Sequence, residues 1–393
     1  MKIVIATGIY PPESGGPATY TQSLALALRA RGNEVTVVTY GEKDEKSSQF
    51  PVLSAQSDKR DVWKVSRRSG FVVRYLRYAW RVFLIARHAD LVYLQGAVSE
   101  GLPGTIGAWL AGKPTIMRVP GDYAWEMAMQ RSQKSIKSKV HKVELLDEFV
   151  TRRHKGSIRI LEAIERWTAR RARHLIVPSK FLRSIVQAWG VPEDRISIIY
   201  STVQPLPPVP SRDELRRSFG VSDSHVVLTV VRSVPWKGVD VLIDALCDLP
   251  DNFRLVVAGN GPVLAEWKQI ASDRHLESRV TFLGRVDRTE LAKWYFAADV
   301  FALNSGYEGF PHVVVEAVTT GLPCLVSDKG GNPETKELFP EFITIVPYRD
   351  TNAWRSAMNQ TRARLAPVVL DNMSFDKMVE GVLEILHKAV KVS

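Results

Sequence analysis

The sequence predicts an α/β protein made of two doubly wound parallel-sheet domains. Three observations lead there. Short apolar runs alternate with helical patterns along the first half of the chain. The same alternation restarts in the second half. Between the halves lies Pro205-Leu206-Pro207-Pro208-Val209-Pro210, which fits neither a helix nor a central strand. A length of 393 residues suits two domains.

In the first half, strands are expected at Lys2–Thr7, Glu34–Thr39, Asp90–Gln95, Pro114–Val119, His174–Pro178 and Arg195–Tyr200. Helical patterns include Thr19–Arg31, Phe71–Arg87 and Phe181–Trp189. In the second half, Val226–Val231, Arg254–Ala258, Val280–Leu283, Val300–Leu303, Pro323–Ser327 and Ile343–Val346 read as strands. Val239–Leu246, Arg288–Ala297 and His312–Thr320 read as helices. Strand-helix alternation implies parallel sheets covered on both faces, with ligands at the carboxyl ends of the strands and a cleft between the two domains. The expected division is residues 1–204, residues 205–373, and a last helix within 374–393 packing back on the first domain.

Composition narrows the class. With 45% hydrophobic and 24% charged residues, disordered and fibrous classes are excluded. Two cysteines, Cys247 and Cys324, give no disulfide framework and fit a reducing cytoplasm. The first residues read as a strand rather than a signal peptide, and no apolar run is long enough for a membrane-spanning helix. The net charge of +11 is unevenly placed. Residues 1–200 hold 32 basic and 18 acidic side chains, and the remainder holds 21 and 24. An anionic surface or substrate facing the first half is one reading, and an ordinary basic surface is the other.

Six strings sit where strands end. Gly8-Ile9-Tyr10-Pro11-Pro12-Glu13-Ser14-Gly15-Gly16-Pro17 follows the first strand and opens a helix. It suits an anionic group at a helix N-terminus, or simply a tight turn. It is not G-x-G-x-x-G, and no acid ends the second strand, so a dinucleotide fingerprint is absent. Arg232-Ser233-Val234-Pro235-Trp236-Lys237-Gly238 puts two cations at a sheet edge, where a diphosphate leaving group would be stabilised. Gly259-Asn260-Gly261-Pro262 and Phe282-Leu283-Gly284 fit loops on one wall of the cleft. The segment from Glu308-Gly309-Phe310-Pro311 through Glu316-Ala317 to Gly321 sets two carboxylates around a helix start, with Pro311 in the first turn and Gly321 at the C-terminal cap. Glu316 lies on a mostly apolar face and needs hydrogen-bond partners, a role ribose hydroxyls would fill. Gly330-Gly331-Asn332-Pro333-Glu334 is expected to aim backbone N–H groups into the cleft.

Taken in order, and with Val177-Pro178-Ser179-Lys180-Phe181-Leu182, these strings resemble the retaining nucleotide-sugar glycosyltransferases of the GT-B fold, family 4. Glu308 to Glu316 matches that family's E-x7-E signature. The resemblance implies two Rossmann-like domains, the first on the acceptor side and the second binding the donor. It implies that Glu316 holds the donor ribose and Glu308 lies beside the sugar. Arg232 and Lys237 grip the diphosphate, with Gly15 and Gly16 completing the phosphate side. Gly309 and Phe310 bring amides near the sugar hydroxyls, and Gly259, Gly261 and Leu283 line the donor site. Many members carry a histidine just after the strand ending near Val119, whereas this chain reads Pro120-Gly121-Asp122. In this reading the polar role falls to Asp122.

The expected reaction is front-face hexosyl transfer with retention from a nucleotide-diphosphate sugar to an acceptor hydroxyl, in cell-surface glycan or glycolipid assembly. The fixed cations remove the need for a metal or other cofactor, and no D-x-D string occurs. An epimerase on the same plan and a non-catalytic nucleotide-sugar-binding protein are the alternatives, and the pairing of E-x7-E with Arg232 and Lys237 favours transfer. Residues 59–88 carry Lys59, Arg60, Lys64, Arg67, Arg68, Arg74, Arg77, Arg81 and Arg87 against Asp61. If Gly70–His88 is helical, Arg74, Arg77, Arg81 and His88 share a face, either meeting an anionic membrane surface or simply solvated. Further cations follow at Lys134, Lys137, Lys139, Lys142, Arg152, Arg153 and Lys155, and residues 126–156 are expected to be an acceptor-side segment. The expected acceptor is a glycan or a lipid-linked group, at the inner face of the membrane. No nucleic-acid-binding module is present.

Overall fold

The computed structural model describes residues 1–13, 15–47, 62–135, 143–368, 370 and 373–391. Ser14, Lys59, Arg60, Asp61, Lys137, Lys139 and Lys142 therefore lie outside the described residues. Contacts divide the chain into two compact units. The N-terminal unit comprises Met1–Lys134, Val150–Tyr200 and Asp376–Ser393, and the C-terminal unit comprises Ser135–Phe149 and Ser201–Phe375.

The N-terminal unit holds β1 (Lys2–Ala6), β2 (Glu34–Gly41), β3 (Glu45–Ser47), β4 (Val62–Ser66), β5 (Leu91–Leu94), β6 (Thr115–Arg118), β7 (His174–Val177) and β8 (Ile196–Ile198). They form one sheet in the order β3-β4-β2-β1-β5-β6-β7-β8, parallel except for β3. Ile3 pairs with Val35 on one side and Leu91 on the other. These strands read as near-continuous apolar runs because helices cover both faces, as in other buried parallel sheets.

Three elements, among others, were not apparent as such in the sequence. β4 is broken as an apolar run by Lys64 and Ser66, and β3 is short and charged. The Gly101–Leu110 helix contains three glycines and a proline, residues that weaken a helical pattern. Packing supplies the reason for the glycines. A Cβ on Gly107 would lie 2.5 Å from the Ala79 carbonyl oxygen, so the residue lets this helix press against the Phe71–Ala86 helix.

The Phe71–Ala86 helix corrects the expectation of a basic face. Arg74 stacks on Tyr40, Arg77 bonds Ser69 Oγ, and Arg81 lies 4.2 Å over the Trp63 ring. Arg77 and Arg81 are held by their own unit, and among the described residues Arg74 has aromatic neighbours only. What the helix turns to solvent is apolar: Val72, Val73, Leu76 and Trp80 are 67, 47, 66 and 58% exposed. No helix among the described residues is long and apolar enough to cross a membrane.

The Pro205–Pro210 stretch has no helix or strand. The Arg212–Ser218 helix follows, opened by a capping box in which Ser211 and Glu214 exchange hydrogen bonds. The C-terminal unit then holds β9 (His225–Val230), β10 (Phe253–Ala258), β11 (Val280–Gly284), β12 (Val300–Leu303), β13 (Cys324–Ser327) and β14 (Ile343–Val346). Their order is β11-β10-β9-β12-β13-β14, with all pairs parallel. The chain reverses direction across the sheet between β9 and β12. The Phe375–Lys391 helix buries Met378, Val379, Val382, Ile385, Leu386 and Ala389, and from Asp376 onward it belongs to the N-terminal unit.

Candidate active site

In an open α/β sheet the loops at the point of reversal diverge to opposite faces and leave a crevice at the carboxyl edge. In the C-terminal unit these are the loops after β9 and β12. The first carries Arg232 to Gly238 and the second Asn304 to Phe310. They are tied together: Asn304 Nδ2 donates to the Gly238 carbonyl at 2.9 Å, and the Gly306 N–H donates to the Trp236 carbonyl at 2.7 Å.

That clamp sets Lys237 against Glu308. Lys237 Nζ lies 2.5 Å from Glu308 Oε1 and also donates to the Tyr307 carbonyl at 3.4 Å. Both side chains are largely buried, at 13 and 16% exposure. Arg232 differs. It is exposed, and its side chain makes no hydrogen bond or ion pair with any described residue. The edge thus presents one balanced cation and one free one.

The glycine loop after β10 lies on the β9 loop. Ser233 N–H donates to the Asn260 carbonyl at 3.0 Å, and Gly259 N–H to the Gly284 carbonyl at 2.7 Å. Gly259 has φ +128°, and a Cβ there would lie 1.9 Å from the Val231 carbonyl oxygen. At Gly261 the same test gives 2.3 Å to the Ser233 carbonyl oxygen. No side chain fits at either position. Leu283, half-buried, ends β11 next to this loop.

The Gly330–Glu334 loop does a different job from the expected one. Gly331 N–H donates to the Glu308 carbonyl at 2.8 Å, and Asn332 Nδ2 donates to Ser305 O and Ser327 Oγ. The Gly331 N–H thus braces the Glu308–Gly309 turn, and the Asn332 amide ties the start of the β12 loop to the end of β13. Phe310 is buried beside that turn. Pro311 is the N-cap rather than the first residue of the His312–Thr319 helix.

Glu316 is 8% exposed and already has protein partners. Arg288 Nη1 donates to Oε1 at 3.1 Å, and the Tyr295 hydroxyl donates to Oε2 at 3.1 Å. Burial pushes its carboxyl above the usual carboxylate range, while Arg288 and Tyr295 pull it back. Arg288 and Tyr295 stand on the helix after β11, so Glu316 faces that side of the sheet edge. Neither partner was apparent in the sequence, because a contact between positions 288 and 316 follows no helical or strand period.

In the N-terminal unit, Gly16 opens the Gly16–Ala30 helix with Gly15 as its N-cap, and a Cβ on Gly16 would touch nothing within 4 Å. That end of the helix stands open. Asp122 is 2% exposed and its Oδ1 accepts from the Trp125 N–H at 2.7 Å. It caps the start of the Tyr123–Ser135 helix, a structural job the motif comparison did not foresee. Burial pushes its carboxyl up to about 6.

Two family models match. Residues 15–202 match a glycosyl transferase 4-like domain, and residues 211–353 match glycosyl transferases group 1. The chain is 26% identical over 377 residues to an uncharacterized glycosyltransferase of Methanocaldococcus jannaschii, covering 90% of this chain and 87% of the relative. It is 26% identical over 375 residues to the GDP-mannose-dependent alpha-(1-6)-phosphatidylinositol monomannoside mannosyltransferase of Mycolicibacterium smegmatis, covering 92 and 89%. The crystal structure of Anabaena HepE with UDP and glucose superposes with a TM-score of 0.69 at 20% identity, over 99% of this chain and 95% of that one. Two Rossmann-like sheets, the reversal-point loops and both family matches agree: the chain belongs to the group 1 glycosyltransferases of the GT-B fold.

Proposed function

We propose that this glycosyltransferase moves a hexosyl group, with retention of configuration and without a metal, from a nucleotide-diphosphate sugar to an acceptor hydroxyl in cell-surface glycan or glycolipid assembly. The observation that carries the reading is the Lys237–Glu308 pair beside the free Arg232 at the reversal point of the C-terminal sheet. In the reaction the bond from the anomeric carbon to the β-phosphate oxygen breaks, and the electron pair leaves with the phosphate. The acceptor oxygen forms its bond on the same face, and its proton passes to the departing phosphate. Arg232 and Lys237 offset the negative charge as it develops, which lowers the barrier more than it favours substrate binding. Glu308 lies near the sugar, Glu316 takes the ribose hydroxyls, and Gly309 and Phe310 contribute backbone at the sugar. Asp122 keeps a proposed polar role toward the sugar through the oxygen its capping bond leaves over.

The exposed apolar stripe at Val72, Val73, Leu76 and Trp80 supports docking on a membrane surface. A peripheral position at the inner face suits a lipid-linked acceptor. The mannosyltransferase relative and the UDP-bound neighbour make GDP-mannose and UDP-glucose the first donors to try.

The deciding experiment is release of nucleoside diphosphate from each donor, with and without glycan and lipid-linked acceptors, before and after EDTA. Acceptor-dependent release that survives EDTA supports the reading. Conversion of the donor to a new sugar nucleotide without acceptor would instead indicate an epimerase. Tight binding without turnover would indicate a non-catalytic protein.

A further inference from the structure

The N-terminal sheet has its own reversal point, between β1 and β5. A cavity of about 520 Å³ opens at that edge. Gln95 and Glu100 line it together with Arg67, Arg74 and Tyr123. These residues come from four separate stretches of chain; Arg67 and Arg74 belong to the basic run of residues 59–88, and Gly8, Ile9, Pro17, Pro120 and Gly121 of the strings above line the same cavity.

The polar groups there fall into two classes, spent and unspent. Arg67 is spent: it donates to Glu13 Oε2 and to the Gly8 carbonyl, each at 2.8 Å. Glu165, also in the lining, accepts from the N–H groups of Tyr123 and Ala124. Gln95 is unspent. It is 4% exposed, and neither its amide nitrogen nor its oxygen has a hydrogen-bond partner. Buried polar groups are normally satisfied, so an orphaned amide facing a cavity marks a place for a ligand. Arg74 is unspent as well. Its guanidinium lies 5.5 Å from the Tyr40 ring centre and 5.8 Å from that of Tyr75, and it makes no hydrogen bond or ion pair with a described residue. Aromatic faces hold the plane of such a cation while leaving its N–H edge free.

Glu100 completes the floor. It is 7% exposed, bonds Ser99 Oγ, and has no cationic partner among the described residues. Gly8 and Gly96 make room for it, since a Cβ at either would sit 2.9 or 2.5 Å from its carboxyl oxygens. Burial pushes this carboxyl above the usual carboxylate range, while the Ser99 hydroxyl pulls it back. An amide, which donates and accepts, and a buried carboxyl, which accepts, together read hydroxyl groups. A free guanidinium beside them reads an anion, and bidentate pairing favours phosphate.

We propose that this cavity binds a phosphorylated polyhydroxy ring as the acceptor of the transfer, with Arg74 on the phosphate and Gln95 and Glu100 on ring hydroxyls. The inference rests on the transferase reading above and adds the chemistry of its second substrate. An unphosphorylated sugar would leave Arg74 unpaired, and inorganic phosphate would leave Gln95 unpaired.

The test uses the whole chain and calorimetry with glucose 6-phosphate, myo-inositol 1-phosphate, glucose, myo-inositol and inorganic phosphate. At least one ring phosphate is expected to bind at least tenfold tighter than its unphosphorylated ring and than inorganic phosphate. R74M is expected to erase that preference, and Q95L to weaken the ring phosphate while leaving melting unchanged or raised. The proposal is overturned if no ring phosphate binds, if R74M retains the preference, or if Q95L binds as well as the parent. Thermal shift with UDP and GDP on the same protein keeps the two readings apart. Nucleotide binding without ring-phosphate binding rejects the acceptor cavity alone, and the converse rejects the donor reading.

Discussion

The two sheets treat their reversal points differently. In the C-terminal unit the edge is closed on itself: Lys237 balances Glu308, Arg288 and Tyr295 hold Glu316, and backbone bonds tie four loops together. In the N-terminal unit the corresponding edge keeps a buried amide and a guanidinium without partners. The first arrangement is preorganised around Lys237, so on the proposed reading a donor entering it exchanges contacts rather than creating order, with that cation fixed before charge develops. The second is left incomplete, at a cost of roughly 1–3 kcal/mol for each unsatisfied buried polar group, a cost that a ligand relieves on binding. On the proposed reading, one half stabilises the reaction and the other discriminates between acceptors.

The largest effect expected from disturbing the closed edge comes from Lys237. K237A should cut acceptor-dependent release of nucleoside diphosphate by about 10²–10³-fold, the usual loss for one preorganised donor. Melting should fall as well, because Glu308 is left largely buried without its cation, so release is compared per folded protein. Full activity in K237A would remove the charge-stabilising role.

Next in size are changes at Glu316. E316Q should raise the donor KM by about tenfold or more, as expected for hydrogen bonds to a charged group worth roughly 1.5–3 kcal/mol. R288M should do the same if Arg288 orients that carboxylate. Should R288M lower the melting temperature with no change in KM, the pair would be structural only.

On the open half, L76E/W80E should abolish sedimentation with anionic vesicles while leaving melting unaltered, since both side chains already face solvent. Retained sedimentation would move the docking surface elsewhere.

The smallest effect separates two roles of Asp122. D122A should destabilise by about 1 kcal/mol through loss of the cap, whereas Asn is an equally good cap. The sign of the pH dependence follows from burial. The folded chain holds the Asp122 proton up to about pH 6, and the unfolded chain releases it near 3.8. Over that window the folded state binds more protons, so this group's contribution to stability falls as pH rises. D122N should flatten that fall in denaturant titrations. If D122N also loses transfer activity, the carboxylate does more than cap.

Much of the architecture was legible because the strands are buried on both faces and therefore nearly uniform in character. Val300–Leu303 and Ile343–Val346 appear at the expected positions. β4 was hidden because Lys64 and Ser66 interrupt its apolar run, and the Gly101–Leu110 helix because its glycines serve a tight helix crossing that only tertiary structure reveals. At the site, Lys237 and Glu308 were legible because each lies in a compact local string. Arg288, Gln95 and Glu100 were not. Their meaning depends on which loops meet at an edge, and sequence spacing does not encode that. The Gly330-Gly331 pair was misread for a related reason: a glycine turn that braces another backbone looks the same in sequence as one that cradles an anion.

Because Asp376–Ser393 completes the first unit, the second is a nested insertion rather than an appended module. Severing the chain within Pro205–Pro210 would leave a distal fragment whose terminal helix still seats on the proximal one. Co-expressed halves split at that point are therefore candidates for spontaneous complementation. Trimming a few turns from the carboxyl end, by contrast, would injure the unit encoded at the opposite end of the gene.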